Sequence, residues 1–121
     1  MPNESKFSGG ANTDKTSRVL TNDYQAPAYA SSIAITAAAD NTVVKVGQLT
    51  GALTLTIGTT APFIGAKITF LFSVDATNRT VTFGTGFQPS ATLALTASKY
   101  GSATFMFNGS TWIETGRAVT A

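Results

Sequence analysis

"SSIAITAAADNTVVKVGQLTGALTLTIG", residues 31–58, settles what kind of fold this chain makes. Ile33 and Ile35 fall on one side of an extended backbone, Val44 and Val46 do so in the next run, and Leu53, Leu55 and Ile57 alternate with Thr54 and Thr56. A period of two marks strands with one buried face, because successive side chains of an extended chain point in opposite directions. Threonine suits the wet face: it keeps a β-branch while presenting a hydroxyl. A helix is excluded here.

The pattern continues downstream. AKITFLFSVD, residues 66–75, sets Ile68, Phe70, Phe72 and Val74 against Thr69, Leu71 and Ser73. That second face is only partly polar, so this strand is expected to be central or covered on both sides, by the amino-terminal arm or another subunit, and Leu71 is an interface candidate. Val81 and Phe83, Leu93 and Leu95, Phe105 and Phe107, and finally STWIETG complete the series. Strand starts recur about every ten residues between turn-forming punctuation, which predicts an all-β fold: a small antiparallel sandwich, or a jelly-roll or barrel-like domain.

Asn108-Gly109 tolerates positive φ at both central positions of a two-residue turn, so FMF and STWIE are expected to pair antiparallel across it. Trp112 then faces Phe105 or Phe107, depending on loop length. It is either part of an aromatic core cluster or, if exposed, a ring that stacks on a sugar or fills an interface pocket.

Upstream, residues 1–30 are rich in Asn, Ser, Thr, Asp and Gly and read as an extended anchoring arm, leaving 31–121 as the β-domain. Glu4, Asp14 and Asp23 balance Lys6, Lys15 and Arg18. The arm ends in YQAPAY, where Pro27 biases Ala26 toward an extended conformation and two tyrosines offer large amphipathic surfaces. Tyr24, Pro27 and Tyr29 are therefore contact candidates, either on the chain's own domain or on a neighbour.

Composition removes several chemistries. The 121 residues include no cysteine and no histidine, so thiolate nucleophiles, disulfides and histidine-based triads are out of reach. A net charge of +2 on few charged residues is far from the dense basic field that nucleic-acid binding needs. No secretory signal is visible and no apolar run is long enough to span a membrane, so a soluble chain is expected. Asp40, Asp75 and Glu114 are the only carboxylates of the β-region. The first two sit among turn formers that ordinarily use them for backbone hydrogen bonds, and Glu114 has Arg117 or Lys99 as ion-pair partners. Asp75, Thr77 and Asn78 lack a calcium-loop signature and read as turn residues. GTTAPFIG and FGTGF match no nucleotide-binding loop. No enzyme activity, metal or cofactor is expected.

The runs SSIAITAAADNTVVKV, LTLTIGTTAPFIGAKITFLFSVDATNRTVTF and ATLALTASKYGSATFMFNGSTWIETGR together resemble the β-rich modules of tailed-bacteriophage structural proteins: head fibres, capsid decoration proteins and tail-fibre pieces. The likeness covers about residues 31–117. Gly65 and Lys67 resemble the opening of the central strand in such modules, and Tyr100, Asn108, Gly109 and Trp112 the closing signature. The resemblance implies a virion protein on the capsid exterior, often a homotrimer, anchored through its amino terminus to the major capsid protein or another virion protein. It transfers no catalytic residue. Without a collagen-like or coiled-coil shaft, the chain is expected to be a capsid decoration or short head-fibre protein rather than a long fibre. The alternative is a receptor- or glycan-binding tail-fibre module, with Trp112, Tyr100, Arg79 or Asn78 meeting a host surface glycan.

Overall fold

The computed structural model describes residues 20–59, 63–88 and 90–120. Ten strands follow one another: β1 (Asn22–Gln25), β2 (Ser32–Ile35), β3 (Asn41–Lys45), β4 (Leu53–Ile57), β5 (Lys67–Ser73), β6 (Arg79–Phe83), β7 (Phe87–Gln88), β8 (Ala91–Leu95), β9 (Tyr100–Phe107) and β10 (Trp112–Val119). The first six are laid alternately in two sheets. β1 to β4 each pair in parallel with the strand two places on: Asn22 lies beside Asn41 and Asn41 beside Lys67 in one sheet, Ile33 beside Leu55 and Leu55 beside Phe83 in the other. These are stacked two-strand coils, the architecture of a β-solenoid.

The chain then closes its own stack. β8 returns antiparallel to β6, β9 antiparallel to β5, and β10 antiparallel to β9, with β7 parallel beside β10. The first sheet thus runs β1-β3-β5-β9-β10-β7 and the second β2-β4-β6-β8. All-β is right, but the antiparallel sandwich, jelly roll and barrel are not: two mixed sheets form a solenoid. Side-chain alternation reports that one face of a strand is buried, and is silent on the direction of its neighbour. Direction is set by the connections. Those at 26–31, 36–40, 46–52, 58–66 and 74–78 are too long for two-residue hairpins, and each carries the chain across to the other sheet.

The space between the sheets is filled largely by phenylalanine. Phe70, fully buried on β5, has ring centroids of Phe72, Phe83, Phe87 and Phe105 at 6.1, 6.1, 5.8 and 6.0 Å. Phe105 also lies 4.9 Å from Phe83 and 4.7 Å from Phe87, both tilted, as the aromatic quadrupole prefers. β5 is the inner strand expected, between β3 and β9. Its outer face stays open in the single chain, with Leu71 39% exposed. Thr42 on β3 is buried with no partner for its hydroxyl, an uncompensated desolvation at the edge of this apolar layer.

Residues 20–30 of the arm dock on their own domain. β1 extends the first sheet, Asn41 Nδ2 donates to Asn22 Oδ1 at 3.3 Å, and the Thr21 amide and hydroxyl both donate to the Asp40 carboxylate, at 2.9 and 3.0 Å. The half-buried Tyr29 gives its hydroxyl proton to the Ala52 carbonyl, at 2.7 Å, and the Pro27 carbonyl accepts from the Gly47 amide. Residues 1–19, the rest of the arm expected to anchor the chain, lie outside the described residues.

The last hairpin differs from the two-residue turn expected. Phe107 pairs with Trp112, so the loop spans Asn108 to Thr111, and only Gly109 has positive φ, 104°. Asn108 is the reason. Its Oδ1 accepts from the amides of Ser110 and Thr111 at 3.0 and 2.9 Å, closing a wider turn around its own side chain.

One irregularity in β10 has a structural use. The register with β9 slips between Glu114 and Gly116, leaving Thr115 as an extra residue. Residues three apart in a regular strand face opposite ways, but the bulge returns Glu114 and Arg117 to the same side. There they form a bidentate pair, Nε to Oε2 at 2.6 Å and Nη2 to Oε1 at 2.8 Å, while Arg117 Nη1 donates to the Thr92 carbonyl of β8 at 2.8 Å. The β8 edge of the second sheet is thereby tied to the first, with one of its edge carbonyls already occupied.

Candidate functional site

Where β5 crosses to β6 and β8 crosses to β9, three segments meet at one end of the sheets. Backbone bonds fix them together: Leu49 N–H donates to Ser73 O and Asp75 N–H to Leu49 O, Val74 N–H to Lys99 O, and Ser98 N–H to Asp75 O at 2.6 Å. The Asn78 side chain adds a bond from the Ala97 amide, 2.8 Å. Lys99 N–H closes a tight turn on Thr96 O, and Ser98 within it has φ of 63°. A left-handed serine is uncommon away from turns and functional loops, and its bonding to Asp75 holds it there.

Between these segments lies an open cleft of about 260 Å³, lined by Gln48, Ser73, Asp75, Ser98, Lys99 and Tyr100 among others. Its aromatic wall is Tyr100, 64% exposed, with the backbone of that residue anchored to Thr120 on both its amide and carbonyl sides. Asp75 is held by Arg79 through two bonds, Nε to Oδ1 at 3.0 Å and Nη2 to Oδ2 at 2.8 Å, and accepts from the Thr77 amide. The Arg79 hydrogen bonds lower the Asp75 pKa from its ordinary value, against a weaker opposing effect of burial. Its carboxylate is ionised at neutral pH and already neutralised.

Tyr100 therefore sits in a polar cleft, with Arg79 behind the cleft wall and Asn78 bracing it. Trp112 does not join them. It is fully buried at the far end of β9, its ring 5.2 Å from Phe107 and its Nε1–H donating to the Gly58 carbonyl at 3.0 Å. No sugar reaches it there. Of the arm candidates, Tyr24 is 63% exposed on β1, whereas Pro27 and Tyr29 are engaged with the domain. Leu71 lies on the outer face of the first sheet, in register with Lys45 and Ser102.

The three carboxylates of the β-region are occupied separately: Asp40 by Thr21, Asp75 by Arg79 and Glu114 by Arg117. Among the described residues no cluster of three carboxylates could hold a metal ion. Asp75, Thr77 and Asn78 use their polar groups to shape the loop. Gln48, Ser73 and Ser98 were not legible as cleft residues, because the stacking of coils brings 48–49 against 73–75 and no local pattern announces that. The positive charge of Lys99 beside an aromatic was the one visible signal.

No family model matches this sequence, and no curated protein is significantly similar to it.

Proposed function

We propose that this chain is a non-catalytic saccharide-binding module of a bacteriophage tail fibre. The observation that carries this reading is the cleft at Tyr100, where an exposed aromatic residue shares the lining with Gln48, Ser73, Ser98 and Lys99. Sugars present apolar C–H faces and equatorial hydroxyls together, and a site that binds them needs an aromatic surface beside directional polar groups. The volume is below the roughly 300–1,000 Å³ of pockets for drug-sized ligands, which suits one ring of a longer chain. The resemblance over residues 31–117 supports the setting on a virion. A capsid decoration role, expected from the absence of a shaft, has no comparable site-level feature in its favour.

The test is a glycan array probed with the full chain. Retention of particular saccharides is expected, and Tyr100→Ala lowers it about tenfold, as for a central aromatic contact. A blank array, or a Tyr100→Ala variant that binds like the parent, removes the reading.

Self-association as a homotrimer belongs to the same proposal. Its support is the outer face of the first sheet, where Leu71 is exposed and Met106 and Ile113 are exposed cross-strand neighbours. Light scattering is expected to give three times the chain mass, falling to one for Leu71→Glu. A wild-type monomer would discard the trimer and leave the saccharide site untouched.

A further inference from the structure

We infer that the cleft at Tyr100 selects acidic saccharides, with the Lys99 ammonium as the partner of a sugar carboxylate; this rests on the saccharide reading above. Two ionic residues line the cleft, Asp75 and Lys99. Their situations are opposite. Asp75 is matched by Arg79 in a bidentate pair and by the Thr77 amide, so it offers a ligand almost no net charge. Lys99 is half-buried, and no hydrogen bond or ion pair to its ammonium is present among the described residues.

The cleft consequently carries one unmatched positive charge. Gln48, Ser73 and Ser98 line the same cleft, and their side chains make no hydrogen bond among the described residues. A cation with several neutral donors around it is the complement of a carboxylate and its flanking hydroxyls, and charge-assisted bonds of this type are about twice as strong as neutral ones. Tyr100 supplies the flat surface against which the rest of the ring lies. Position also favours Lys99 for this role. Its backbone is fixed on both sides, by Thr96 and by Val74, so the side chain starts from a rigid point at the cleft wall.

A neutral sugar would use Tyr100 and the hydroxyls and leave the ammonium merely solvated. An acidic sugar uses all of them. The charge of Lys99 therefore sets the preference, and screening by salt weakens it.

The experiment is titration of the isotopically labelled full chain, followed by NMR, with trigalacturonate and sialyllactose and with their neutral counterparts, galactotriose and lactose. The acids are expected to shift the amides of Ser98, Lys99 and Tyr100 and to bind about tenfold more tightly than the neutral sugars at low salt, the size expected of one charge-assisted contact. Lys99→Gln, with its thermal melting checked against the parent, brings the ratio of acid to neutral affinity to near one. Equal affinities in the parent, or a ratio unmoved by Lys99→Gln, overturn the acidic preference while saccharide binding stands. No shifts at these amides with any of the four sugars overturn both.

Discussion

Alanine at position 86 is expected to destabilise the domain by about 4 kcal/mol, combining the cost of a left-handed alanine with that of overpacking. Gly86 has φ of 95°, and a Cβ there would overlap the Ile57 carbonyl oxygen and stand 2.7 Å from Ile57 Cγ2. Neither neighbour yields cheaply. Ile57 is the last residue of β4 and is itself bonded to the same turn, its amide donating to Thr85 O at 2.9 Å. On the other side the Gly86 carbonyl accepts from the Trp112 amide and the Thr111 hydroxyl, at 3.1 and 2.9 Å. The residue is thus pressed between the end of β4 and the start of β10, where the two sheets are joined. Denaturant titration followed through Trp112 measures the loss. Gly116→Ala is the control, since open space surrounds its position and its φ is not left-handed. A Gly86→Ala variant as stable as that control would mean that the β4 end moves freely, contrary to this packing.

Phe70→Ala is expected to cost about 3–5 kcal/mol, the range for removing a buried aromatic side chain. Four rings lose a partner at once, and they come from both sheets: Phe72 and Phe105 from the first, with Phe87, and Phe83 from the second. The cavity would open at the midline of the core, where the surrounding strands are held by backbone ladders and collapse little. Against a total stability of about 5–15 kcal/mol, a loss of this size removes a large part of the margin and lowers the melting temperature accordingly. Phe70→Leu keeps most of the volume and should recover more than half of the loss. If the two variants melt together, the space at Phe70 is refilled by its neighbours and the cluster is not the centre of the fold.

The inward residues of nearly every strand could be read from alternation, and Phe70, Phe72 and Val74 are buried where that pattern put them. Strand direction could not. Ile33, Ile35, Leu53, Leu55 and Ile57 alternate in the same way whether their strands run parallel or antiparallel, and here they run parallel. A repeat would have revealed the coils, but the step from Asn22 to Asn41 is much shorter than that from Asn41 to Lys67, so no fixed period exists. The ten-residue spacing of strand starts that points to an antiparallel sandwich or barrel fits these short coils equally well, and the visible hairpin signal, Asn108-Gly109, belongs only to the closing segment. At the cleft, Tyr100 was legible as an exposed aromatic candidate, whereas Gln48, Ser73 and Ser98 converge only through tertiary contacts. Trp112 was open to two readings because its surroundings, Phe107 and the Gly58 carbonyl, are far apart in the chain.

Pairing each strand of the coils with the strand two places on leaves the length of the molecule undetermined by its ends. A duplicated two-strand unit inserted before β3 would meet β1 and β2 on one side and β3 and β4 on the other, in the parallel pairing those strands already use. The reversed strands β8 to β10, and the cleft beside β9, would be carried along unchanged. A gene encoding this fold can therefore be extended by tandem copying while selection acts separately on its terminal face. The length of the stack and the shape of its terminal cleft become heritable as independent traits.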